Sequence, residues 1–195
     1  MEFASEPADR LVSDFEGGSL DVATVAGRTG RWILGSDGSS GALIAEASQK
    51  CAARDKWAGH FAARGFTNWG SNWTAIFTAP ADNGTALPYD ARAYNAVSFW
   101  AAFGGDNDAD FAVQLGISTM DTAWNGGICK SCMDFYVDPT PLTHEWRRYV
   151  VPFSAMAQVG WGNPLVAMRR DQMVGFILWP KQQFDIWIDD IRLEP

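Results

Sequence analysis

Phe184-Asp185-Ile186-Trp187-Ile188-Asp189-Asp190-Ile191-Arg192-Leu193-Glu194-Pro195 is the stretch on which the fold turns. Phe184, Ile186 and Ile188 alternate with Asp185, Trp187 and Asp189, the period of two of a strand with one face in a core. A chain end this apolar must be stitched between neighbouring strands or it frays. The Asp189-Asp190 pair then breaks the alternation. Adjacent strand residues point to opposite faces, so one of these carboxylates lies near the core. A buried carboxylate is costly unless it is paired or bound to a metal. With no lysine beside the pair, a hard cation such as calcium is the expected partner.

The middle of the chain repeats the strand signal. Val97, Phe99, Ala101 and Phe103 alternate with Ser98, Trp100 and Ala102; Phe111, Val113, Leu115 and Ile117 alternate with Ala112, Gln114, Gly116 and Ser118. Two alternating runs around the Gly104–Asp108 loop read as an antiparallel hairpin, with Trp100 and Gln114 sharing the face away from the core. Further strands are expected at Arg31–Leu34, Ala42–Ala47, His60–Phe66, Thr74–Phe77, Asp134–Val137, Trp146–Phe153 and Met173–Trp179. Glycine, asparagine and aspartate punctuate the rest. No repeat or linker divides the chain. The fold class is all-β: one two-sheet antiparallel β-sandwich over residues 11–195. Residues 1–10 read as a leader, with Met1-Glu2-Phe3 a remnant of cloning.

Composition narrows the function. The chain has 195 residues, 47% hydrophobic and 13% aromatic, enough for one well-filled domain. Its net charge of −8 argues against nucleic acid, whose phosphates need basic clusters. No apolar run reaches the roughly 20 residues of a membrane span. Ten tryptophans call for a reason, because Trp is rarely wholly buried and its ring grips flat, partly apolar ligands. Three cysteines are too few for a disulfide scaffold. Cys129 and Cys132 form a Cys-x-x-Cys, read as a local disulfide; free thiols, a metal half-site and a redox pair are the alternatives.

Leu11-Val12-Ser13-Asp14-Phe15-Glu16-Gly17-Gly18 is a first strand ending in a glycine turn that presents the Glu16 carboxylate. This end and the Ile188–Leu193 end together resemble the first and last strands of galactose-binding-like β-jelly rolls. They are most similar to carbohydrate-binding modules of the family-eleven type. Tyr89-Asp90-Ala91-Arg92-Ala93-Tyr94 is similar to the segment before the central strand of such modules. Cys129-Lys130-Ser131-Cys132-Met133-Asp134-Phe135 and Trp146-Arg147-Arg148-Tyr149-Val150-Val151-Pro152-Phe153 resemble two more of their stretches. Met133 stands where an asparagine is expected and Tyr136 where a glycine is, departures that bear on ligand preference. The resemblance implies a jelly roll with a structural calcium framed by Glu16, Asp189 and Asp190. It also implies a secreted, monomeric module appended to a larger enzyme.

Chemistry separates three readings. A glycosidase needs two carboxylates facing each other across a cleft. The internal glutamates, Glu16, Glu46 and Glu145, form no paired signature, and no Gly-x-Ser-x-Gly elbow is present. His60 and His144 read as structural. A glycan-active enzyme using loop carboxylates, and a structural or adhesion sandwich, are therefore the alternatives. A sugar binder needs aromatic planes for the C–H faces of pyranose rings, with amides beside them for the hydroxyls. Trp100, Gln114 and Trp179 on a sheet face, and Trp69, Trp73, Trp124, Asn125 and Trp161 in loops at its rim, are the candidates. Trp32, Trp57, Trp146 and Trp187 are assigned to packing. The function expected is non-catalytic binding of β-linked plant-cell-wall polysaccharide.

Overall fold

A computed structural model describes residues 8–25, 27–49, 56–78, 87–104, 112–123, 133–179 and 184–195. It is all-β, as the alternating runs require. In chain order the strands are β1 (Leu11–Ser13), β2 (Asp21–Val25), β3 (Arg28–Ser36), β4 (Ala42–Ser48), β5 (Ala58–Arg64) and β6 (Ser71–Thr78). They continue as β7 (Ala96–Phe103), β8 (Ala112–Thr119), β9 (Tyr136–Pro141), β10 (Arg147–Pro152), β11 (Ala157–Gln158), β12 (Met173–Trp179) and β13 (Phe184–Glu194). One sheet has the order β10-β7-β13-β5-β4, with β1 also paired to β13. The other has the order β11-β9-β8-β12-β6-β3-β2.

The terminal strand β13 lies inside the six-stranded sheet. β7 runs along one edge, while β5 and β1 divide the other. Its register shifts between Asp189 and Arg192, and Asp190 takes φ 50°. That is a β-bulge: one extra residue changes the parity of the strand. Phe184, Ile186 and Ile188 face the core before it, and Ile191 and Leu193 after it, all buried. The break in alternation at Asp189-Asp190 is thus the device that keeps both halves of β13 apolar inward.

The inner faces interlock. The row Trp32, Ala75, Phe176, Ile117 and Tyr136 crosses the seven-stranded sheet in register, and each member is buried in the core. Phe103, Ile186 and Phe61 form the matching row of the six-stranded sheet.

Several expectations are corrected here. β7 and β8 are not a hairpin: the chain crosses from one sheet to the other between them. Trp100 and Gln114 therefore lie on different sheets, Trp100 opposite Arg148 and Asp189, Gln114 opposite Trp179 and Pro139. Alternation specifies which face is buried but not which strand is the partner. Trp73 is no rim residue. β6 starts at Ser71, so Trp73 shares parity with Ala75 and Phe77 and is 2% exposed. Conversely, Trp146 precedes β10 and is only half-buried. Asp9 and Arg10, assigned to the leader, are tied to the body: Tyr94 donates to Asp9, and Arg10 holds Leu193 O and the Glu194 carboxylate.

Candidate functional site

The outer face of the seven-stranded sheet carries the candidate site. Its central row runs Ile33, Thr74, Ile177, Gly116 and Val137, strand by strand. Gly116 keeps this row low, because a Cβ there would sit 2.5 Å from Ile177 and 2.9 Å from Val137. The next row holds Gly35 beside Asn72, and Trp179 beside Gln114. Phe135, Val137, Ile177 and Trp179 pack into one apolar cluster on this face. Between the rows and the loops lies a groove of about 440 Å³. Ile33, Ile76, Ile177, Phe135 and Met133 line it, together with Asn72, Thr74 and Trp69.

Three tryptophans stand at one end. Trp179 lies between Trp69 at 6.2 Å and Trp161 at 6.1 Å, with interplanar angles of 89° and 88°. Edge-to-face pairs of this kind match the positive rim of one ring to the negative face of the next. The Trp179 indole N–H also donates to Trp69 O. Trp69 and Trp161 remain 44% and 50% exposed, so large aromatic surface faces solvent on both sides of Trp179. Both are held on tight loops. Gly70, next to Trp69, has φ +92°, and Gly160, next to Trp161, has φ +102°, a region that favours glycine.

Of the residues assigned to binding, the structure thus gathers Trp69, Trp161, Trp179 and Gln114. It removes Trp73 to the core and Trp100 to the other sheet. Trp124 and Asn125, like Cys129 and Cys132, lie outside the described residues. Ile33, Ile76, Phe135 and Val137 line the same face but were not singled out from sequence. Aliphatic residues in a strand read as core, and only strand pairing shows which are on the outer side.

The carboxylates considered for metal or catalysis lie elsewhere, on the six-stranded sheet and its corners. Glu16 Oε1 accepts the amides of Lys56 and Trp57, each at 2.9 Å. Trp57 immediately precedes β5, whose Gly59 pairs with Ile188 of β13, the residue before Asp189. Phe15 at φ 58° and Asp190 at φ 50° are both left-handed without being glycine. Asp189 is 2% exposed and its Oδ1 accepts Asp190 N at 2.7 Å. Asp190 has a cationic partner two residues on, an arginine rather than a lysine: Arg192 Nε donates to it at 2.7 Å. Among the described residues no three of His, Cys, Asp or Glu converge as a metal cluster. Glu46 and Asp185 flank His60, at 3.3 and 3.0 Å from its two ring nitrogens, and the imidazole stacks on Trp187 at 4.0 Å and 6°. This group joins β4, β5 and β13 and reads as strand-to-strand bonding. Glu145 is paired with Arg147.

Neither a family model nor a curated protein matches the sequence. Solved structures match it in fold. A family 11 carbohydrate-binding module of the cellulosomal cellulase Lic26A-Cel5E of Clostridium thermocellum is 14% identical, over 97% of this chain and 96% of that one, with a TM-score of 0.63. A family 11 module from the same organism, in complex with a β-1,3-1,4-mixed-linked tetrasaccharide, is 14% identical over 95% and 94%, with a TM-score of 0.60. A family 30 module of cellulase Cel9D-Cel44B, also from C. thermocellum, is 12% identical over 95% of each chain, with a TM-score of 0.55. Identities this low speak for architecture alone, and the chain has the two-sheet jelly-roll fold of carbohydrate-binding modules.

Proposed function

We propose that this chain is a non-catalytic module that binds β-linked plant-cell-wall polysaccharide, of the β-glucan or xylan type, on the outer face of its seven-stranded sheet. The observation that carries this reading is the Trp69–Trp179–Trp161 group beside Gln114, open to solvent above an apolar groove. Pyranose C–H faces stack on such rings while the Gln114 amide serves hydroxyls. The family 11 neighbour bound to a mixed-linked tetrasaccharide supports the choice of a β-glucan as first ligand. Attachment to a larger secreted enzyme, and a monomeric state, complete the reading.

Affinity electrophoresis in gels containing mixed-linkage β-glucan, xylan or mannan tests it, with a reducing-end assay on the same polysaccharides. Retardation without release of reducing ends is expected. Release would put an enzyme in the module's place.

A structural calcium belongs to the same proposal, with Glu16, Asp189 and Asp190 as its ligands. Glu16, the buried Asp189, and Asp190, which also accepts from Arg192 Nε, would supply the hard oxygen donors. An ion at 100 times its dissociation constant contributes about 2.7 kcal/mol. At ~2–4 °C per kcal/mol for a domain of this size, chelation should lower Tm by roughly 5–10 °C. Glycan specificity should not change. An unaltered Tm together with metal-free purified protein would remove the site.

A further inference from the structure

Each exposed tryptophan of the trio sits on a loop that closes around one carboxylate. Asp37 Oδ2 accepts the amides of Asn68 and Gly70, both at 2.9 Å, the two residues that bracket Trp69. Its Oδ1 accepts Ser39 N at 2.9 Å and the Ser39 hydroxyl, and Ser39 Oγ in turn accepts Thr67 N. On the opposite side Asp134 does the same for Trp161. Its Oδ2 accepts the amides of Gly160 and Gly162, at 2.9 and 3.1 Å, which bracket Trp161, and its Oδ1 accepts Val159 N at 2.9 Å. Gln158 closes that loop further, donating to Asp134 O and Asn163 O and accepting Leu165 N. The two loops are unrelated in sequence and come from different parts of the chain, yet the solution is one: a left-handed glycine on one side of the tryptophan and the residue on its other side give both amides to one acidic oxygen.

We propose that Asp37 and Asp134 are positioning residues of the aromatic site, each fixing one exposed tryptophan against Trp179 before any ligand arrives. Neither touches the ligand; each acts through its own loop. Asp134 is fully buried, and those three amide donors satisfy oxygens that would be costly to bury unpartnered. Burial alone would raise the pKa of Asp37, but the bonds from the Ser39 hydroxyl and the Gly70, Ser39 and Asn68 amides outweigh it and bring it to about 2. That clamp is therefore charged throughout the neutral and mildly acidic range. The gain is pre-organisation: a ring already held in its binding orientation loses little freedom when a sugar stacks on it.

The inference deepens the glycan-binding reading, and its test has one arm that needs no glycan. Asp37→Ala should weaken the near-UV circular dichroism that arises from the Trp69–Trp179 pair, and Asp134→Ala that from the Trp161–Trp179 pair. Asp37→Asn and Asp134→Asn, which keep one acceptor oxygen for the bracketing amides, should fall between alanine and wild type. In the binding arm, Asp37→Ala should weaken retention on mixed-linkage β-glucan roughly three- to tenfold, the cost of ordering one side chain on binding. In a Trp69→Ala background the same change should add nothing, and likewise Asp134→Ala in Trp161→Ala. Far-UV spectra and melting curves identify a variant that fails to fold, in which case the asparagine variant decides. Unchanged near-UV spectra in folded variants, or losses that add fully to those of the tryptophan variants, would overturn the proposal. Absence of glycan binding by the wild type would sink the functional reading while leaving the spectroscopic arm to judge the clamps.

Discussion

Replacing Trp179 with alanine is expected to cut glycan retention by roughly tenfold or more while leaving the fold intact. Each stacked ring contributes about 0.5–1.5 kcal/mol beyond its burial, and about 1.4 kcal/mol is a factor of ten. Trp179 contributes its own ring and is also the surface against which Trp69 and Trp161 both stand. Its removal therefore costs one contact directly and loosens two more. The stability cost should be modest, because Trp179 is half-buried on the outer face, against Phe135, Val137 and Ile177 rather than in the main core. Trp100→Ala, on the other sheet, is the control and should bind as wild type. Affinity electrophoresis of both variants checks this. Equal retention of Trp179→Ala and wild type would exclude the trio as the binding surface.

The largest effect on stability is expected at Trp73. It is among the bulkiest fully buried side chains, packed with Trp32 at 6.5 Å and against Phe61. Truncating a buried Trp to alanine costs about 3–5 kcal/mol, a large share of the ~5–15 kcal/mol that holds a typical domain folded. Trp73→Ala should therefore lower the denaturant midpoint sharply or prevent folding. Trp146→Ala should cost about 1 kcal/mol or less, as expected for a half-exposed side chain outside the core. Chemical denaturation of the pair gives the comparison, and a Trp146 variant less stable than the Trp73 variant would contradict the packing.

Much of the fold was legible in the sequence, for a physical reason. Period-two alternation reports burial directly, and it marked β7, β8 and the first half of β13 with the right inward residues. Strand pairing is not local information. The acidic loop after Phe103 suggested a hairpin, but the chain crosses between sheets there, so Trp100 and Gln114 parted. The bulge at Asp190 was visible only as a broken pattern, because its left-handed backbone depends on β1 and β7 on either side.

The site was legible in part. Trp69 and Trp161 could be found because glycine and asparagine around a Trp make poor core material. Trp73 was misplaced by the same signal, since β6 begins two residues before it. Asp37 and Asp134 passed unnoticed as site residues. An aspartate before Gly-Ser reads as an ordinary turn. That its far oxygen reaches a loop some thirty residues on is a fact of tertiary structure.

The most direct test of the central claim is an NMR titration that follows the indole N–H signals as a mixed-linkage β-glucan oligosaccharide is added. The signals of Trp69, Trp161 and Trp179 should shift together and saturably, while those of Trp100 and Trp187, on the six-stranded sheet, stay in place. Shifts confined to Trp100 and Trp187, or no shift with any β-glucan, xylan or mannan oligosaccharide, would contradict the account.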